Sequence, residues 1–262
     1  MGLTLIVPVL AGWISGWIVN YLADVLPVTR RLTRPACVQC GNIYPLGTYL
    51  TFRTCPKCNH RRPARAWYVQ MTMLVISMYT WFRPNRMGYV LGIILLTYFA
   101  VIVVIDLEHR LILHPTSIFG ALFGLGLGTW LHGLFPTLLG GLAGLAIMSA
   151  LYFLGLLFAR FRTRRLQATG RPADDEEALG FGDVILAGVL GLILGWPFIW
   201  FGLLLGILLG GIIGVVLISY WLFAKQLKEN ALMIFMPYGP FFVVSVFFIL
   251  FVPNWIARVV PK

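Results

Sequence analysis

The chain has 262 residues, 60% of them hydrophobic and only 11% charged, with a mean hydropathy of +0.88. Such a profile excludes a soluble domain and indicates an all-α polytopic membrane protein. The net charge of +11 does not point to nucleic acid, because the basic residues fall in loops between apolar runs, the pattern of the positive-inside rule.

The apolar start, Leu3 to Leu26, has no basic residue before Arg30. It therefore lacks the charged opening of a cleavable signal peptide and reads as a retained first helix. A bilayer core takes about 20 helical residues to cross, fewer when the ends are wet. On that scale spans are expected at 3–26, 67–82, 88–105, 115–132, 135–159, 183–195, 197–223 and 238–257. The run from Asp183 to Leu222 is too long for one crossing, and Gly195-Trp196-Pro197 is its turn. Eight spans result. Sixteen Lys and Arg residues then fall on one side and four on the other, so the rich side is expected to be cytoplasmic, with both termini outside. Glycines recur every four residues at Gly120, Gly124 and Gly128 and again at Gly202, Gly206, Gly210 and Gly214, a spacing that brings helix backbones together and reads as packing.

The first long cytoplasmic loop carries all four cysteines, in Cys37-Val38-Gln39-Cys40 and Cys55-Pro56-Lys57-Cys58, with fourteen residues between the pairs. Each pair can present two thiolates from one tight turn, and two such turns close a tetrahedral zinc site. Disulfides are disfavoured on the cytoplasmic side, which favours structural zinc over a dithiol redox pair or unmetallated thiols. Four thiolates leave no open coordination position, so the metal would fold a loop too polar to build its own core, without catalysing anything. His60 reads as a surface residue beside a complete ligand set.

Two carboxylates stand at the edges of apolar runs. Asp106 ends the run Tyr98 to Ile105, and Asp183, in Gly180-Phe181-Gly182-Asp183, opens a run to Leu222 that carries no other charge. A carboxylate at the edge of a hydrocarbon slab needs a partner, water or a chemical use, and the expected topology puts both on the cytoplasmic face. Two neighbouring carboxylates share one proton, so the ionised member can take a proton from water while the protonated member donates to a scissile carbonyl or leaving amine. Gly180 and Gly182 would let a substrate backbone approach closely. The plainer alternative is that Asp183 caps its helix and Asp106 ends another, each at a wet interface. Asp174-Asp175-Glu176-Glu177 reads as a solvated acidic loop, and Glu108, His109 and His114 as interfacial residues.

Ile105-Asp106-Leu107-Glu108-His109-Arg110 with Pro115, then Gly180-Phe181-Gly182-Asp183-Val184, then Met236-Pro237-Tyr238-Gly239-Pro240-Phe241 resemble the three signatures of the prepilin peptidases, GxGD-type aspartic proteases of bacterial membranes. Gly16-Trp17-Ile18-Val19-Asn20 resembles their opening segment, and the cysteine loop is similar to theirs in place and spacing. The resemblance implies that Asp106 and Asp183 are the catalytic pair and that Gly180, Gly182, Pro237, Gly239 and Pro240 position substrate. It implies removal of the basic leader from type IV prepilins or pseudopilins, after a Gly, at the cytoplasmic face of a prokaryotic inner membrane. Many members then methylate the new N-terminus with S-adenosylmethionine, for which the sequence shows no glycine-rich strand-to-helix fingerprint. It further implies a division into 1–66, the first span with the cysteine loop and the methylation-associated region, and 67–262, the peptidase. Thr116, Ile185 and Tyr238 stand where the family often has Asp, Lys and Phe, departures that bear on substrate positioning. From another class, a proton- or cation-coupled transporter using the two aspartates as a relay stays open, although a relay would want polar groups along its whole path and not at one face.

Overall fold

The computed structural model describes residues 2–168, 180–223 and 237–252. The described residues form nine helices: α1 (Gly2–Thr29), α2 (Leu46–Leu50), α3 (Arg65–Phe82), α4 (Gly88–His109), α5 (His114–His132), α6 (Leu134–Ala168), α7 (Phe181–Leu194), α8 (Phe198–Phe223) and α9 (Gly239–Phe251). The expected helices recur in place and order. Two differences stand out: α2 lies inside the cysteine loop, and α6 runs well past residue 159. The acidic run Asp174–Glu177 and the end of the last expected span lie outside the described residues.

Among the described residues, four helices are long and apolar enough to cross a membrane, at Leu5–Thr29, Gly88–His109, Leu134–Phe161 and Phe198–Tyr220. The chain is a multi-pass membrane protein. The 14 residues of α7 and the 13 of α9 are equally apolar but short. At 1.5 Å per residue they reach only about 20 Å, less than the ~30 Å hydrocarbon core.

The chain divides into two compact units, Met1–Thr116 and Ser117–Lys262. In the first, α1 packs against α3 and α4 around Val19, Ala23, Met73, Val101 and Ile105. Two glycines of α1 set how closely α3 approaches: a Cβ on Gly12 would lie 2.8 Å from Ser77 Cβ, and one on Gly16 would lie 2.6 Å from Gln70 Oε1. At that separation buried polar side chains of α3 and α1 reach backbone carbonyls. Gln70 Nε2 donates to Trp13 O at 2.7 Å, Ser77 Oγ to Pro8 O at 2.7 Å, and Asn20 Nδ2 to Ala66 O at 3.0 Å. Small residues plus interhelical hydrogen bonds are the glue of helices in lipid, where apolar burial alone does not favour association.

In the second unit α6 and α7 are the most closely apposed pair, and the contact is made of backbone. A Cβ on Gly140 would lie 2.5 Å from Gly191 O, and one on Gly191 would overlap the Gly140 carbonyl. The same reading holds for most of the expected glycine rows: Gly124 faces Ile193, Gly128 faces Leu192 O and Thr137, and Gly206 lies under the Phe242 ring. Gly214 has nothing within 4 Å among the described residues. Between α8 and α9, Ser245 Oγ donates to Gly202 O at 2.7 Å.

Candidate active site and four-cysteine module

The two CxxC segments fold as a matched pair of turns. Gly41 N donates to Cys37 O at 2.8 Å and Asn59 N to Cys55 O at 2.9 Å; Cys37 N returns to Asn42 O and Cys55 N to His60 O. Gly41 (φ +68) and Asn59 (φ +55) both take the left-handed conformation that reverses the chain after the second cysteine, one reached by a glycine and the other by a residue type that tolerates it. The turns aim all four Sγ atoms at one point, within 4.8 Å of one another. Sγ of Cys37 lies 3.6 Å from that of Cys58, and Sγ of Cys40 lies 3.7 Å from that of Cys55. The edge of a zinc tetrahedron with Zn–S near 2.3 Å is about 3.8 Å, so the donor set fits zinc in both chemistry and spacing. His60 contributes a backbone carbonyl and stays exposed.

The backbone N–H of Cys40 leads the groups that pull the Cys37 thiol down from 9.0 to about 6; burial opposes the shift, and a hydrogen bond with Tyr44 adds to it. The backbone N–H of Cys58 leads in lowering Cys55 as well. Cys58 is driven the other way, to about 12, because burial and sulfur-to-sulfur hydrogen bonds with Cys40, Cys37 and Cys55 outweigh the His60 backbone N–H that lowers it.

Beneath the cysteines lie Tyr44 and Tyr49, buried with Cys37 and Cys55. Tyr49 comes from α2, and its hydroxyl donates to Asp24 Oδ2 of α1 at 2.6 Å. Arg62 Nη2 donates to the same oxygen at 2.6 Å, Arg62 Nη1 to Tyr49 O at 3.0 Å, and the guanidinium stands 4.0 Å over the Tyr49 ring. Arg65 pairs with Asp24 Oδ1 through Nη2 and with Glu108 Oε2 through Nη1, the latter at 2.9 Å. Four charged residues from α1, the loop, α3 and α4 thereby form one network. Sequence reasoning missed it: the partners lie 38, 41 and 43 residues apart, and no local spacing reports such pairs. The visible signal was Asp24 itself, a carboxylate inside an otherwise apolar first helix.

Asp106 lies one turn before the end of α4, 5% exposed. Its carbonyl accepts the Arg110 N–H at 2.9 Å, and Arg110 closes the helix in a left-handed cap (φ +53). The helix therefore continues beyond Asp106, which does not terminate it. Asp183 is the third residue of α7 and 8% exposed. The cap position belongs to Gly180, whose carbonyl accepts Asp183 N–H at 3.0 Å. A carboxylate in a first turn faces the positive end of the helix dipole. Among the described residues, a Cβ on Gly180 would meet Asp183 Oδ2 at 3.7 Å and Gly182 N at 4.0 Å, both at ordinary contact distance. Gly182 is half-buried, and Phe181 points outward at 60% exposure with its edge against Tyr152, centroids 6.0 Å apart. Pro237 is half-buried; Gly239 and Pro240 are buried in the first turn of α9, where Tyr238 and Phe241 pack against the Gly210 turn of α8.

Residues 93–215 match the type IV leader peptidase family. The match covers just under half of the chain. The matched stretch holds both Asp106 and Asp183; the cysteine module precedes it and the Pro237–Pro240 segment follows it. No curated protein and no solved structure matches the chain.

Proposed function

We propose that the protein is a membrane aspartic endopeptidase whose catalytic carboxylates are Asp106 and Asp183. The observation that carries this reading is that the leader peptidase match spans both residues while each is buried at one end of an apolar helix. A buried carboxylate resists ionisation unless it is partnered, so two of them sharing a proton divide the roles. The ionised member takes a proton from the attacking water. The protonated member donates to the scissile carbonyl oxygen and then to the leaving amine. Neither metal nor covalent nucleophile takes part in that scheme, and Gly180, Gly182, Pro237, Gly239 and Pro240 line up the substrate backbone.

In this reading the substrates are prepilins or pseudopilins with a basic leader, the helices make eight crossings, with α7 and α9 completing theirs only because their ends are wet, both termini lie outside, and the loop of 27–66 faces the cytoplasm of a prokaryotic inner membrane. The basic side of the loops supports that orientation. Cys37, Cys40, Cys55 and Cys58 hold a structural zinc that supplies folding free energy. Residues 1–66 serve as an accessory region to the peptidase of 67–262. N-methylation of the new terminus follows from family resemblance alone. A cleft of about 430 Å³ lined by Phe52, Arg53, Thr54, Arg61, Arg62 and Trp67 offers rings for a purine and guanidinium groups for a carboxylate. Arg62 is already engaged by Asp24 and the Tyr49 ring, and a lining with three guanidinium groups repels a sulfonium cation, so these residues do not fit S-adenosylmethionine as a whole, and leader cleavage proceeds without it.

The test is incubation of the purified chain with a synthetic prepilin and S-adenosylmethionine, read by mass spectrometry. A product shortened by its leader supports the peptidase, and a further methyl mass supports the second activity. An intact prepilin together with ion flux in vesicles would transfer the two aspartates to a transport role.

A further inference from the structure

We propose that Arg65 is a positioning residue for Asp106, strapping the last turn of α4 to the four-cysteine module; the inference rests on the peptidase reading above. Glu108 occupies that last turn, where the negative end of the helix dipole disfavours a carboxylate. Left alone it would loosen the turn that also contains the Asp106 carbonyl and its bond from Arg110. Arg65 counters both effects, because its guanidinium, 15% exposed, reaches Glu108 with one nitrogen and Asp24 with the other.

The guanidinium is a rigid planar fork, so its two bonds cannot drift independently. Asp24 is itself immobilised by Arg62 and by the Tyr49 hydroxyl, both at 2.6 Å. Tyr49 is packed in one core with Cys37 and Cys55. A continuous run of contacts thus leads from the four cysteines to Glu108, two residues from Asp106: apolar packing joins the cysteines to Tyr49, and polar contacts join Tyr49, Asp24, Arg65 and Glu108. When the module is folded, the end of α4 has one place to be. A lysine could satisfy either carboxylate but lacks the fork that fixes both.

The test uses the full-length chain with Arg65→Gln, Arg65→Lys and Glu108→Ala. Cleavage kinetics on a synthetic prepilin, bound zinc, and hydrogen exchange at residues 106–110 are measured for each. Misplacing a catalytic group by an ångström costs roughly 10- to 100-fold in rate. Arg65→Gln is expected to lower kcat by about that factor with little change in KM, to keep its full zinc content and to speed exchange in the last turn of α4. Arg65→Lys should recover part of kcat, and Glu108→Ala should resemble Arg65→Gln. A wild-type kcat in Arg65→Gln, a rise confined to KM, or loss of zinc in step with activity would each overturn the inference. If the unaltered chain cleaves nothing, the peptidase reading fails, while the exchange measurement still decides whether Arg65 holds the turn.

Discussion

The cysteine end of the first unit and the α6–α7 pair of the second are held by opposite means. The first is made of directional contacts between groups far apart in sequence: four thiols, a tyrosine hydroxyl, two guanidinium groups and two carboxylates. The second is made of absences, with Gly140, Gly144, Gly188 and Gly191 leaving backbone against backbone or neighbouring side chain. A directional network fails when one partner is removed. A seam of glycines fails when anything is added. The two regions should therefore respond in opposite ways to deletion and to insertion of atoms, which makes the comparison breakable.

The largest effect is expected at the thiolates. Structural zinc contributes on the order of 10 kcal/mol to a small module, so a strong chelator or Cys55→Ser should open residues 37–62 to protease while the α6–α7 pair stays protected. Acid should act in the same direction. The Cys37 thiol is lowered from 9.0 to about 6, so its contribution is fully present above 9 and is lost as pH falls through about 6. Zinc bound per chain, measured across pH 8 to 5, should drop across that lower range. Retention of zinc in Cys55→Ser would break the comparison at its stronger end.

Next comes Arg62, whose side chain is only 6% exposed. Arg62→Met removes one of the two cations on Asp24 and the cation over the Tyr49 ring, and should cost about 3 kcal/mol, at the low end for breaking a buried pair because Arg65 remains. Thermal unfolding in detergent, read by a probe in the loop, would register it.

The smallest and most discriminating pair is a single added methyl in the second unit. Gly191→Ala drives a Cβ into the Gly140 carbonyl and should destabilise by about 1–3 kcal/mol. Gly214→Ala meets nothing within 4 Å among the described residues and should be neutral or stabilising by about 0.5–1 kcal/mol, the ordinary helix preference for alanine. Equal Tm shifts for the two variants would show that the seam is not what holds α6 to α7.

Legibility in the sequence followed the range of the interactions. Helix positions were readable because apolar runs and their Gly and Pro punctuation are local, and Gly195-Trp196-Pro197 marks the turn between α7 and α8 as expected. The four-cysteine cluster was readable because Cys-x-x-Cys repeats the same turn twice. The short α2 was not, since its five residues, Leu46–Leu50, carry no period and are fixed by distant partners, Tyr49 by Asp24 and the Leu50 carbonyl by Trp17. Arg62 and Arg65 counted merely as loop charge that set orientation; their actual partners are carboxylates on α1 and α4, invisible to any window. Asp106 and Asp183 were singled out because a charge beside hydrocarbon is rare, and both prove buried.

Leader cleavage by the isosteric variants Asp106→Asn and Asp183→Asn tests the central claim most directly. Each keeps the size and hydrogen-bonding shape of its side chain while losing the ability to exchange a proton. The two-carboxylate account predicts that either variant inserts, folds and retains zinc like the wild type but leaves a synthetic prepilin intact, with a rate lower by at least about 10³-fold, since acid–base catalysis contributes about 10²–10⁴ for each group. Cleavage at the wild-type rate by either variant would contradict it.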